Sequence, residues 1–167
     1  MRRVALVVIM LIPLLFPAST FAENVPEDVL VMKVVDGDTL KLSDGQTVRL
    51  IGVDTPETVH PTKPVQYFGK EASAFTKRLA EGKTVTLEYD QQRIDKYGRT
   101  LAYVYLVDGR MLNSEIIKQG YGFAYIKFPF KRMEEFRALE REAREAGRGL
   151  WAEDGTASVA PANLVSH

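Results

Sequence analysis

The sequence predicts a small closed β-barrel of five strands with three helices, an α+β fold that is mainly β. Two observations point there. Between Val29 and Asn113, five segments alternate apolar and polar residues at the two-residue period of half-buried strands. One segment of helical period falls between the third and fourth of them, and two more follow the fifth.

The elements follow in order. "VLVMKVV" is the first strand, and "DTLKLSDGQTVRLIGV" reads as two further strands around "SDGQ", where Asp44-Gly45 supplies a tight hairpin turn. The third strand is expected to run on to Asp54. "VHPTKPVQYFG", Val59 to Gly69, is rich in Pro and polar residues and reads as a loop. "KEASAFTKRLAEG" fits a helix, with Ala72, Phe75 and Leu79 at helical spacing and Gly82 after its end. "KTVTLEYDQ" and "RTLAYVYLVDGRMLN" are the fourth and fifth strands, the latter turning at Asp108-Gly109. "LNSEIIKQG" is a short helix ending at Gly120. "FKRMEEFRALEREAREAG" is a long amphipathic one with Met133, Phe136, Leu139 and Ala143 on one face. Trp151 is expected to pack at its exit. Five strands closed around one helix form a small barrel such as the OB-fold.

The two ends read differently. Arg2 and Arg3 form a basic start, Val4 to Phe16 is an apolar run broken only by Pro13, and "PASTFA" puts Thr20 and Ala22 where a signal peptidase reads small residues. Residues 1–22 are therefore expected to be a secretory signal peptide, giving an exported protein, periplasmic or secreted, with no stable membrane association after cleavage. Residues 23–153 are expected to form the folded domain, a monomer, and 154–167 a loose, small and polar tail.

Composition narrows the chemistry. The chain has no cysteine, which excludes disulfides, thiolate metal sites and a cysteine nucleophile. Its two histidines, His60 and His167, are too few for a histidine-built metal site. Residues 31–132 hold 16 Lys and Arg against 12 Asp and Glu, a mildly basic body compatible with an anionic substrate, whereas residues 133–167 hold 4 against 7. Gly82-Lys83-Thr84 is no phosphate-binding loop, because the glycine required five residues earlier is Lys77. "DGDTLKLSDG" is no EF-hand, since Thr39 and Leu40 stand where its glycine should follow. GxSxG and HExxH are both absent.

Three polar clusters remain. "VVDGDTL" carries Asp36 and Asp38, "RLIGVDTPET" carries Arg49, Asp54 and Glu57, and "RIDKYGRTLAY" carries Asp95, Lys96, Tyr97 and Arg99. Each alone reads as an ordinary solvated turn. Together, on neighbouring strands of one sheet, they supply hard oxygen ligands suited to Ca²⁺ or Mg²⁺ and a glutamate able to orient or deprotonate water. They also supply two arginines able to clamp a phosphate. These are the parts of a phosphodiesterase site. A binding module of the same fold that cuts nothing is the rival reading, but it has no need of Asp38, Asp54, Glu57, Arg49 and Arg99 together.

"VVDGDTLKL", "RLIGVDTPET", "YFGKEASAFTK", "DKYGRTLAYVYL" and "GRGLWAE" resemble, in order and spacing, the staphylococcal nuclease (thermonuclease) family, from about Val31 to Glu153. The resemblance implies an OB-type barrel with three helices and a Ca²⁺-dependent nuclease acting on DNA and RNA to leave 3′-phosphate ends. It implies Asp38, Asp54 and the backbone carbonyl of Thr55 as calcium ligands, and Glu57 acting on the attacking water. Arg49 and Arg99 would contact the scissile phosphate, Lys96 and Tyr97 a neighbouring phosphate, and Tyr125 the nucleotide pocket. The family's second pocket tyrosine is here Lys127, and "FPFKRMEEF" is shorter than the family's loop.

Overall fold

The computed structural model describes residues 27–58, 64 and 66–152. Strands β1 (Glu27–Asp36), β2 (Thr39–Leu42) and β3 (Thr47–Leu50) form an antiparallel meander. Strand β4 (Val53–Asp54) follows, then helix α1 (Gly69–Ala80), β5 (Thr84–Glu88), β6 (Thr100–Leu106), α2 (Leu112–Lys118), β7 (Phe123–Ala124) and α3 (Met133–Glu145), with a 3-10 turn at Gly149–Trp151. The barrel closes in the order β1-β2-β3-β6-β5, with β5 back on β1 and a parallel join between β3 and β6. This is the five-stranded barrel with three helices that the alternation and the helical segments predict.

One face of every barrel strand feeds a single core. Val31, Val34, Leu40, Val48, Leu50, Val85, Leu87, Ala102 and Val104 are buried in it, joined by Ile116 and Ile117 of α2 and Phe136 of α3. At the two-residue period of a strand, that burial leaves the alternate residues on the outer face. Helix α2 is fastened by a buried side chain. Asn113 accepts from the N–H of Val104 and donates to the carbonyls of Ile51 and Ala102. It thereby satisfies backbone groups where β3 and β6 part.

The third strand does not run unbroken to Asp54. It ends at Leu50 and turns through Ile51 and Gly52, and β4 leaves the barrel to pair antiparallel with β7 in a separate two-stranded sheet. Gly52 holds φ at 69°, and a Cβ there would stand 2.5 Å from Phe130 and 2.8 Å from Phe136. The aromatic side chains around α3 therefore require the glycine and set the bend, which points Asp54 out of the barrel. As expected, Trp151 packs at the exit of α3, edge-on to Phe123 with the Arg144 guanidinium 3.8 Å above its ring.

The expected signal peptide, the tail from residue 154 and most of the loop from Val59 lie outside the described residues. Among the described residues no helix is long and apolar enough to cross a membrane.

Candidate active site

Asp38 sits in the tight turn between β1 and β2, buried, with Thr39 donating its hydroxyl to Oδ1 at 2.9 Å. The N–H of Thr55 donates to Asp38 Oδ2 at 3.0 Å and its hydroxyl to the same oxygen at 3.2 Å. Thr55 thus orients Asp38, a role beyond the carbonyl ligand that the resemblance implies. It also explains the glycine of "DGD". A Cβ on Gly37 would meet the Thr55 hydroxyl at 2.6 Å, so only glycine lets the two turns close on each other.

Arg49 ties these turns to β4. Thr39 and Arg49 are direct cross-strand partners, so both project from the outer face of the barrel. The Arg49 Nη2 lies 3.0 Å from Asp38 Oδ2 and 3.1 Å from Asp54 Oδ1, and Nη1 donates to the Val53 carbonyl at 2.6 Å. One guanidinium therefore holds two carboxylates that would otherwise repel across the same gap.

The charge is not balanced. Burial, then the negative charge of Asp38, push the Asp54 carboxyl up to about 6 against the pull of Arg49, with Glu57 and Asp36 adding to the rise. Asp36 is also raised, first by burial and then by its side-chain hydrogen bond to Glu57. It accepts from the N–H of Gly37 and from both the N–H and hydroxyl of Thr58. Asp36 thus braces the segment that carries Glu57, a part the "DGD" spacing alone leaves unassigned because its donors come from residue 58. Gln66 does the same from the other side, accepting from the Glu57 N–H at 2.8 Å.

Arg99, Lys96 and Tyr97 form a second group. Asp95 Oδ1 accepts from the N–H groups of Tyr97 and Arg99, and Oδ2 takes the Arg99 Nε at 2.7 Å. The Lys96 ammonium and the Arg99 guanidinium stand 4.9 Å and 5.4 Å from the Tyr97 ring, which is 72% exposed. Asp95 is the residue that shapes this turn, and the pattern D-x-x-G with a donor beyond it is its sequence signal. The ion pair of Arg99 is with Asp95 and not with the carboxylates around Arg49. Tyr125 follows β7, its N–H donating to the Gly52 carbonyl, so it stands beside the bend before β4; its ring lies 6.2 Å from Phe128.

The donor set fits a hard divalent cation. The ligands on offer are carboxylate and backbone oxygens, and a cation would offset both the burial and the neighbouring negative charge that raise Asp54. Among the described residues no group of three acidic or histidine side chains could hold an ion by itself. Asp38 and Asp54 would be joined by backbone oxygen and water.

The family model described as "Staphylococcal nuclease homologue" matches residues 47–153. A thermonuclease of Staphylococcus hyicus is 46% identical over 126 residues, covering 73% of this chain and 74% of that protein. A thermonuclease of Staphylococcus intermedius is 48% identical over 132 residues, with 75% and 76% covered. The endonuclease YncB of Bacillus subtilis (strain 168) is 40% identical over 134 residues, with 77% and 63% covered. On the barrel and these likenesses, the chain belongs to the staphylococcal nuclease family.

Proposed function

We propose that this chain is a Ca²⁺-dependent endonuclease that hydrolyses phosphodiester bonds of DNA and RNA, leaving 3′-phosphate ends, and that it works as an exported monomer freed of residues 1–22. The observation that carries the reading is Arg49 bridging Asp38 and Asp54 at the exit of a strand, with Glu57 three residues on. The thermonuclease and endonuclease names of its relatives support it.

Asp38, Asp54 and the Thr55 carbonyl would hold the cation. When bound, it supplies Lewis-acid charge to the phosphate oxygens and the attacking water. The Glu57 carboxylate takes a proton from water as the water oxygen bonds to phosphorus; the phosphorus–5′-oxygen bond breaks, its electron pair leaves on the 5′ oxygen and a solvent proton completes the 5′ hydroxyl, so the phosphate stays on the 3′ side. Arg49 and Arg99 stabilise the charge that grows on the phosphate. Lys96 and Tyr97 engage the next phosphate, and Tyr125 offers a face for a base.

The test is incubation of the purified protein with single- and double-stranded DNA and RNA in Ca²⁺, in Mg²⁺ and in chelator, with end-group analysis of the products. Cutting in Ca²⁺, poor cutting in Mg²⁺ and none in chelator is expected. Binding without cutting in every metal would leave a nucleic-acid-binding module instead.

A further inference from the structure

Resting on that reading, we propose that Lys33 and Lys41 form a further phosphate site, separate from that of Lys96 and Tyr97, one that takes another backbone phosphate of the same nucleic-acid strand. The two lysines are direct cross-strand partners on β1 and β2, and both are exposed. Like charges placed opposite each other across a sheet destabilise it. Neither reaches an acidic side chain within ion-pair distance among the described residues. On this edge of β1 the Glu81 carboxylate accepts from the Val34 N–H at 2.7 Å. The positive pair is uncompensated, as a site for an anion would be.

Register gives its place. Asp36 faces Thr39, and Thr39 faces Arg49, so these side chains form one row across the outer face. Lys33 faces Lys41, and Lys41 faces Thr47, forming the next outward-facing row. Thr47 precedes Val48, whose parallel partner Thr100 follows Arg99, so this row runs toward Arg99. The rows are two residues apart along β2, about 6.8 Å. That step is close to the one-nucleotide repeat of an extended strand. A strand whose scissile phosphate lies at Arg49 would thus run its neighbouring backbone along the outer face on which the lysine pair stands.

The experiment measures the salt dependence of binding of a single-stranded DNA oligonucleotide to the Glu57→Gln protein, with and without Lys33→Ala and Lys41→Ala together. Losing two phosphate contacts should make the slope of log K against log salt shallower by about 1.4. In the cutting protein, the same pair of substitutions should raise KM only for substrates long enough to reach the further site. Lys33→Arg with Lys41→Arg should retain the slope, and Lys131→Ala, which removes one exposed charge elsewhere, should leave it unmoved. The melting temperature of the double alanine variant should hold or rise, because a repulsive pair has been removed. An unchanged slope in the Glu57→Gln background, while the protein with Glu57 intact cuts, overturns this site alone. A protein that neither binds nor cuts the oligonucleotide overturns it together with the nuclease reading.

Discussion

Arg49 lies within β3 with 15% of its side chain exposed, and its guanidinium is shared between Asp38, Asp54 and the carbonyl of Val53. Arg99 lies just before β6 with 31% exposed, held by the side chain of Asp95 four residues earlier. Both are assigned the same kind of work on a phosphate, yet one is wired into the fold and the other rides on a turn. A half-buried arginine between two carboxylates is structural as well as chemical, since removing it leaves negative charges facing each other in a poorly solvated gap. Arg99 makes its ion pair within its own turn, to Asp95 four residues earlier.

Arg49→Lys keeps the charge but loses the planar pair of donors. It is expected to lower kcat by about 10²–10³ and to cost about 1–3 kcal/mol of stability. Denaturant melts and steady-state kinetics read both, and Arg99→Lys should show the rate loss with stability nearly intact. Equal stability losses would erase the distinction.

Gly52→Ala tests whether the bend that aims Asp54 depends on the helix packed over it. With φ positive and both Phe130 and Phe136 in the way, the added methyl should cost about 2–4 kcal/mol. An unchanged melting temperature would contradict the packing account of the bend.

Asp95→Asn probes the turn. Burial raises the Asp95 carboxyl, but the Arg99 N–H, the Arg99 guanidinium and the Tyr97 N–H outweigh it, and the net shift is downward from 3.8. A lowered folded value means that Asp95 stabilises the fold at pH above its ordinary value, and that this contribution is lost as pH falls through the folded one. The stability gap between wild type and Asp95→Asn, about 1 kcal/mol at neutral pH, should therefore be flat from pH 5 to 8, about where carboxylates stay ionised. It should close in stronger acid. A gap that widens in acid would reverse the sign of the argument.

What could be read in the residues divides along the same line. The barrel strands, the hairpin at Asp44-Gly45 and the helix faces around Phe75 and Phe136 follow from local period and turn chemistry, and the structure has them. The two-residue strands β4 and β7 carry too little pattern to show their pairing, and Phe130 and Phe136 pack against the Gly52 bend that precedes β4 only in three dimensions. The roles of Asp36 and Gln66 were equally hidden, because each acts through a backbone group supplied by a residue distant in the chain. Asp38, Arg49 and Asp54 stand out in the sequence as polar clusters on neighbouring strands, and their separate roles come only from the family resemblance. That Arg49 bridges Asp38 and Asp54 appears only in three dimensions.

On the proposed mechanism, the half-buried Arg49 and the turn residue Arg99 act on one phosphate. A double-mutant cycle on the rate of oligonucleotide cleavage under saturating substrate, using Arg49→Lys, Arg99→Lys and both together, tests it most directly. Groups acting as a unit on one transition state lose less in combination than the sum of their separate losses. The predicted result is a fall in kcat for each single variant and a double variant well above the additive expectation, with KM changed far less. Strictly additive losses, or losses confined to KM, would contradict it.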